Sequence, residues 1–394
     1  MTGVWTSLWI TLAIQALVSL VVFTPPVLAP AAHAAVGVPA SAVGIATALI
    51  YISATLGALL SGGTIGRHGP MRISQVSLVL CGTGIALIGS GHVALIALGA
   101  LVIGLGYGAV TPSSSAILAD RAPPNLRAFI FSLKQTGVPI GGMLAGLLVP
   151  ALIGLTGWKG AAFTAGAACV LLAVVLQPMR KGIDRGSRAP DRSPRASLIE
   201  PLRLVLSHAP LRELSMASFT YSGMQMCLGS FLVVFLHDRA GHSLSAAGAV
   251  LATAMAAGIA GRVFWGVVAD SGVRPQALLG ALGVAMSIAA VATAQVSAEW
   301  PALAVAAVSI VYGATAVGWN GVYLSEIARV APMERAAAAT GASIAMTYAG
   351  VVAMPAMFWL IVELGGSYRA AFVAAGCLTL WRGARLLRPA GALA

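Results

Sequence analysis

Charged residues are scarce in this sequence and make up 9% of its 394 residues. A soluble globular domain carries about 25% charged residues, so this composition cannot cover a water-facing surface. A disordered chain is excluded as well, because disorder needs low hydrophobicity and high charge. Since 59% of the residues are hydrophobic, the composition predicts a protein that has the lipid bilayer as its solvent.

Cysteine is also scarce, and no pair of cysteines has a metal-ligand spacing such as C-x-x-C. We interpret Cys81, Cys169, Cys227 and Cys377 as small packing residues inside apolar runs. The net charge of +12 could indicate a nucleic-acid partner, but the basic residues lie in short gaps between apolar runs. The sequence therefore predicts no nucleic-acid partner, no metal site and no cofactor.

Twelve apolar runs are long enough for membrane helices, which need about 20 residues. They lie near residues 5–29, 42–61, 74–91, 94–118, 128–152, 160–177, 213–236, 246–268, 276–295, 300–324, 336–361 and 368–387. We interpret the first run as a retained helix rather than a secretory signal, because no lysine or arginine precedes Arg67. The sequence thus predicts an all-α polytopic membrane protein with six-helix bundles at 1–178 and 213–394 and a cytoplasmic central loop at 179–212.

Most lysines and arginines fall in alternate loops, which the positive-inside rule assigns to the cytoplasm. Of the loop residues, only Lys159, Arg239 and Arg369 fall on the opposite side. The pattern predicts a multi-pass protein of the cytoplasmic membrane, with both termini in the cytoplasm. We expect it to work as a monomer in the lipid bilayer.

The two halves repeat short motifs. Residues 121–128 and 329–336 both read R-x-x-P-x-x-R-A, and the loop at 62–72 matches the loop at 266–274. Both pairs have nearly the same separation along the chain, which indicates a duplicated six-helix unit. Repeats related by an axis along the membrane normal are a known transporter plan.

The loop at 62–72 resembles the signature G-x-x-x-D-R-x-G-R-[RK] of the major facilitator superfamily, and the resemblance covers essentially the whole chain. The acidic position is Gly66 in the first copy, whereas the second copy keeps its acid as Asp270. In that family the loop latches the two halves in one facing state. The resemblance implies gating roles for Gly62, Gly66, Arg67, Gly69, Arg72, Gly266, Asp270 and Arg274.

Two cations, Arg262 and Lys134, lie inside predicted spans, where a charge costs at least about 2.5 kcal/mol near the bilayer centre. They either snorkel or pair with a carboxylate or helix-end carbonyl, or they hold an anionic substrate. The eighth run resembles that of monocarboxylate and oxalate carriers, in which an arginine contacts the substrate carboxylate. The aspartate that monocarboxylate carriers often place one turn earlier is Gly258 here.

Uncharged polar residues near the middle of the predicted spans complete the candidate substrate site. Amides, phenols and indoles can hold a small polar solute within a mostly apolar pocket. Each alone could equally be a contact between helices. The candidates are Gln15, Tyr107, Thr111, Tyr221, Gln225, Trp319, Asn320 and Tyr348.

The pattern favours a secondary active transporter of a small organic anion, with a coupling proton as a further partner and alternating access as the mechanism. The alternative is a proton-coupled drug or multidrug efflux antiporter, since residues 137–142 partly resemble an antiporter motif. A carrier of cationic drugs would be expected to have a deeply embedded carboxylate, and the sequence offers none. We expect no enzyme, because no nucleophile–base pair lies in the helices and no phosphate-binding G-x-x-x-x-G-K-[ST] loop occurs.

Overall fold

The computed structural model describes residues 3–119, 121–123, 127–184, 203, 205–330 and 336–388. Its regular elements in those ranges are helices. They are α1 (Val4–Val36), α2 (Val43–His68), α3 (Pro70–Gly89), α4 (Val93–Ala119), α5 (Arg127–Gln135), α6 (Gly137–Val175), α7 (Gln177–Asp184), α8 (Ala209–Asp238), α9 (Leu244–Asp270), α10 (Pro275–Thr293), α11 (Ala302–Ala316), α12 (Asn320–Val330), α13 (Ala336–Gly365) and α14 (Tyr368–Leu387).

Eleven helical stretches of the described chain are long and apolar enough to cross a membrane. One of them, Leu133–Asp184, has 52 residues, whereas about 20 residues cross a bilayer. Gly157 breaks it with φ 72° and ψ 170°, so α6 is two consecutive spans. The twelve-span, all-α prediction is therefore confirmed, with the fifth and sixth spans joined at one glycine.

Three details differ from the sequence prediction. The tenth run is two helices, because α11 ends at Ala316 and α12 begins at Asn320. Helix α7 continues into the stretch predicted as central loop, and residues 185–202 and 204 of that loop lie outside the described chain. Cys377 is exposed, whereas the other three cysteines are buried as expected. Hydropathy finds apolar runs, but it does not register a break or a lipid-facing position within one.

The chain packs as two compact units, Met1–Pro194 with Leu244–Ala252, and Arg195–Ser243 with Thr253–Ala394. In the first, α1 packs on α6 and α4 on both α2 and α3; in the second, α8 packs on α13 and α10 on α14. Glycines bring these helices close: a Cβ on Gly84 would lie 2.7 Å from the Gly99 carbonyl oxygen, and one on Gly383 2.9 Å from that of Gly280. The predicted domain bounds themselves remain a prediction.

Left-handed glycines recur at corresponding points of the two halves. Among the described residues, seven glycines have positive φ, a conformation that other residues rarely adopt. Six of the seven form three pairs with nearly constant separation along the chain. The pairs are Gly37 with Gly241, Gly69 with Gly272, and Gly157 with Gly366. The positions of these glycines thus support the duplication that the loop motifs indicate.

The outer surface of these helices is apolar. Leu155 and Leu303 are each 82% exposed and Leu364 is 80% exposed. Large exposed apolar areas are unfavourable in water, and a bilayer removes that cost. The protein is therefore a multi-pass membrane protein, as the composition predicts.

Candidate functional site

Among the described residues of the first unit, Lys134 is the most deeply enclosed cation, with 2% of its surface exposed. It lies in the last turn of α5, two residues before the break at Thr136 that separates α5 from α6. Its Nζ donates to Gln135 Oε1 at 3.2 Å and to Thr111 Oγ1 at 3.5 Å. Both acceptors are neutral oxygens, so the ammonium is solvated by the protein without being neutralised.

The same polar network extends to α1. Thr111 Oγ1 donates to Gln15 Oε1 at 3.5 Å, and Gln15 Nε2 donates to Ser19 Oγ at 3.2 Å. Gly137 makes room for Gln15, because a Cβ there would lie 2.8 Å from Gln15 Cβ. Three helices thus contribute one polar network, the Lys134 cluster, which consists of Gln15, Ser19, Thr111, Lys134 and Gln135.

The charge of the Lys134 cluster is not balanced within the described chain. The ion pairs of the described residues do not include Lys134, which has no carboxylate oxygen within 4.0 Å. Sequence reasoning names Gln15, Thr111 and Lys134 but misses Ser19 and Gln135. Tyr107 is half-buried and packs edge-on against the Tyr51 ring, with centroids 5.9 Å apart.

In the second unit, Arg262 lies beside the break in the tenth span. Its Nε donates to the Val317 carbonyl oxygen at 3.1 Å, and Trp265 Nε1 donates to that of Ala314 at 2.8 Å. Residues 317–319 form a turn between α11 and α12, so carbonyls there lose their helical partners. Arg262 therefore makes the helix-end carbonyl contact that the sequence left open as one of its roles.

Tyr221 and Trp319 are brought together next to this break. Both side chains are fully buried, with ring centroids 5.7 Å apart. The Tyr221 hydroxyl donates to the Leu279 carbonyl oxygen at 2.9 Å, and Trp319 Nε1 donates to that of Ala316 at 3.1 Å. Arg262, Tyr221 and Trp319, with Asn320 at the start of α12, form what we call the Arg262 cluster.

Two other predicted residues of the second unit lie on α8 and α13. Gln225 is buried in α8, and Tyr348 is half-buried in α13. A ladder of hydroxyls joins the same two helices: the Ser215 and Ser343 hydroxyls lie 2.7 Å apart, and Ser222 Oγ donates to the Thr347 carbonyl oxygen at 2.8 Å. Sequence reasoning missed this ladder, because serine and threonine in apolar runs give no distinctive signal.

The loop at 62–72, for which gating was predicted, receives an acid from elsewhere in the chain. Asp184, at the end of α7, accepts a hydrogen bond at its Oδ1 from the Met71 N–H at 2.8 Å. Its side chain therefore caps the N-terminus of α3, where a carboxylate is stabilised by unpaired N–H groups and the helix dipole. Arg121 Nη2 holds α7 in place by donating to the Ile183 carbonyl oxygen at 3.0 Å. The sequence motif lacks its acid at Gly66, and the fold supplies Asp184 at the same loop.

The other predicted gating residues lie where the motif places them. Arg67, Arg72 and Arg274 are exposed. Gly62 and Gly66 belong to the end of α2, Gly69 precedes α3, and Gly266 belongs to α9. Asp270 ends α9, and its side chain lies outside the part of the chain that the structure describes.

Alanine substitutions at Gly66 and Gly69 should have opposite effects on stability. Gly69 has φ 87°, and a Cβ there would lie 2.6 Å from Asp184 Oδ1, so Gly69→Ala should destabilise by about 1–2 kcal/mol or more. Gly66 is helical with nothing within 4 Å of an added Cβ, so Gly66→Ala should stabilise by about 0.4–1 kcal/mol. Melting of both variants in one detergent tests this, and shifts of the same sign would contradict the described loop.

Among the described residues, no group of three histidine, cysteine, aspartate or glutamate side chains could hold a metal ion. Two carboxylates of the second unit, Glu326 and Glu213, are used in ion pairs. Glu326 is fully buried and accepts both Nε and Nη2 of Arg329, at 2.7 and 2.6 Å. Glu213 accepts from Arg385 Nη2 at 2.8 Å and lies 3.6 Å from Arg382 Nη1. The buried polar clusters can therefore bind a ligand through hydrogen bonds and through charge.

Twelve apolar spans in duplicated halves, with polar clusters enclosed among them, define a polytopic protein of the transporter type. The chain belongs to the Major Facilitator Superfamily, whose sequence model matches residues 11–355. The fold agrees: a bacterial homolog of the human lysosomal transporter Spinster, in an inward-facing and occupied conformation, superposes with a TM-score of 0.77. That match has 15% identity and covers 96% of this chain and 95% of the other.

Three transporters of known name share shorter stretches of sequence. The benzoate transport protein of Acinetobacter baylyi is 36% identical over 81 residues, which is 21% of this chain and 17% of the relative. The glucose transporter GlcP of Staphylococcus epidermidis is 30% identical over 29% of this chain and 26% of its own. The 4-hydroxybenzoate transporter PcaK of Pseudomonas aeruginosa is 27% identical over 38% of this chain and 34% of its own. The matches thus span about a third or less of each relative.

Proposed function

We propose that the protein is a secondary active transporter that carries a small organic anion, with benzoate-like carboxylates as the first candidates. It works by alternating access in the cytoplasmic membrane. The observation that carries the proposal is Lys134, a 2% exposed ammonium with neutral oxygens as partners and no carboxylate within 4.0 Å in the described chain.

A buried charge without a partner is costly. An isolated ammonium is expensive in a low-dielectric interior unless an opposite charge lies close to it. The Lys134 cluster solvates the ammonium with hydroxyl and amide oxygens, and a carboxylate from outside would supply the missing negative charge. A bound anion therefore recovers energy at this position, whereas a cationic drug would add repulsion.

The named relatives support the same chemical class. Two of the three carry benzoate or 4-hydroxybenzoate in their names, and the third is a glucose transporter. Benzoate combines a carboxylate with an aromatic ring. Lys134 donates to Thr111, and Tyr107, whose ring packs on that of Tyr51, lies one turn before Thr111 on α4. A neutral sugar would leave the Lys134 charge unbalanced.

In the second unit we assign Arg262 as the anion ligand. Its Nε bond to the Val317 carbonyl oxygen fixes the plane of the guanidinium, and a planar fork binds carboxylates in bidentate fashion. Tyr221 and Trp319 support the break on which this contact depends. The proton is the coupling ion in this proposal.

Ligand-induced stabilisation of the purified protein tests the substrate class. A ligand that binds only the folded state stabilises it by about 2.7 kcal/mol at a hundred times its Kd. We expect benzoate and 4-hydroxybenzoate to raise the apparent melting temperature, with glucose and a cationic dye leaving it unchanged. Stabilisation by the dye alone would favour drug efflux instead, and stabilisation by glucose alone would favour a sugar carrier.

A further inference from the structure

A basic cavity lies at one end of the second unit, apart from the Arg262 cluster. It has a volume of about 490 Å³. It lies where α10 begins and where α12 and α14 end. Its charged lining residues are Arg274, Glu326, Arg329 and Arg388. Three cations and one acid therefore face the same space.

The one acid does not neutralise this cavity. Both oxygens of Glu326 are taken by Arg329, at 2.6 and 2.7 Å. In the described part of the chain, the side chains of Arg274 and Arg388 make neither a hydrogen bond nor an ion pair with a carboxylate. Among the described residues, the charges of Arg274 and Arg388 are thus available to an anion that enters the cavity.

The backbone adds donors at the same place. Helix α10 begins with Pro275 and has no side-chain cap, and the lining residues Gln276 and Ala277 belong to its first turn. The N–H groups of a first turn have no partner within the helix and carry a partial positive charge.

The first unit shows which group such a helix start accepts. There α3 also begins with a proline after a left-handed glycine, and the carboxylate of Asp184 accepts from its first turn. In the second unit the corresponding helix start opens onto the arginine-lined cavity instead. In the first unit the anion at this helix start is therefore the carboxylate of Asp184, which belongs to the chain. In the second unit the corresponding position is a cavity with N–H and guanidinium donors for an anion from outside.

We infer that this cavity binds the phosphodiester of an anionic phospholipid such as phosphatidylglycerol. Exposed apolar side chains beside the arginines, Val273 at 41% and Leu387 at 43%, provide a surface for acyl chains. Basic pockets between spans on the cytoplasmic side suit such headgroups, and the lysine and arginine pattern predicts that side for these loops. The site is independent of the transported substrate.

Lipid retention measured by native mass spectrometry tests the inference. Wild-type protein in detergent, mixed with equal phosphatidylglycerol and phosphatidylcholine, should retain phosphatidylglycerol preferentially. Each basic side chain near a headgroup contributes about fivefold in affinity, so Arg274→Gln with Arg388→Gln should weaken phosphatidylglycerol binding about 10- to 30-fold. The matched control Arg369→Gln removes an exposed charge at the opposite end of α14 and should change nothing.

Three results would overturn the inference. The first is equal retention of phosphatidylglycerol by wild type and the double variant at equal folded fraction. The second is equal retention of the two lipids by wild type. The third is stabilisation by millimolar inorganic phosphate that matches stabilisation by phosphatidylglycerol, because it would assign the cavity to a soluble anion. Both arginines are exposed, so the double variant should fold, and its melting without added lipid checks that.

Discussion

Lys134→Gln should strongly weaken binding of a carboxylate substrate while leaving the protein as stable as wild type or more stable. The substitution removes a charge-assisted hydrogen bond worth about 1.5–3 kcal/mol to the anion, which corresponds to about 10- to 150-fold weaker binding. It also removes a buried charge that has no carboxylate partner in the described chain. The free energy of folding then no longer includes the cost of burying that charge. Titration of purified protein with benzoate, together with thermal melting, measures both effects.

Lys159→Gln is the matched control for this prediction. Lys159 is exposed, and its ammonium lies 5.5 Å from the centre of the Trp158 ring. The control makes the same chemical change in the same unit, so it should leave benzoate affinity unchanged. If Lys134→Gln lowered the melting temperature strongly while the folded fraction kept its affinity, Lys134 would be a structural residue and the anion assignment would fail.

Arg262→Lys should weaken carboxylate binding about 10- to 150-fold, although the charge is kept. Lysine cannot reproduce the planar fork of a guanidinium, and the loss of charge-assisted hydrogen bonds worth about 1.5–3 kcal/mol gives that range. The ammonium can still donate to the Val317 carbonyl oxygen, so the break in the tenth span should persist and melting should change little. Binding of benzoate at matched folded fraction checks the first statement, and melting checks the second.

A purely structural role of Arg262 would give a different result. If the arginine served only to hold the Val317 carbonyl, Arg262→Lys would keep full affinity, and Arg262→Ala would lower the folded fraction. Arg369→Lys provides the control for the chemical change itself, because Arg369 is exposed at the start of α14. Unchanged affinity in Arg262→Lys would remove Arg262 from the substrate site.

The twelve spans could be predicted because hydropathy is a local property that each apolar run carries by itself. The duplication could be predicted for the same reason, because each repeated loop motif is a short local pattern of charged residues. The breaks within spans were not predictable in this way. Gly157 is a different case, because it lies in the predicted gap between the fifth and sixth runs, although only its backbone conformation distinguishes it from other glycines. The break at residues 317–319 is flanked by contacts from Arg262 and Trp265, which lie on another helix.

The roles of single side chains were harder to predict than the spans. The sequence favours Arg262 over Lys134 because the surroundings of Arg262 resemble those in known carriers. The structure shows Arg262 bonded to a backbone carbonyl and Lys134 enclosed among neutral oxygens. Asp184 is the clearest omission, since its role depends on a contact with Met71 across 113 positions of the chain. Contacts over such separations leave no signal in one sequence.

The central claim is that this protein is a secondary transporter that binds its organic anion at Lys134. Substrate counterflow in proteoliposomes tests this claim most directly. Vesicles containing purified protein are loaded with unlabelled benzoate and diluted into a trace of labelled benzoate without any imposed ion gradient. We expect transient accumulation of label by wild type and by Lys159→Gln, and much less by Lys134→Gln at the same benzoate concentration. Accumulation by Lys134→Gln equal to that of wild type would contradict the account, as would wild type that exchanges a cationic dye but no carboxylate.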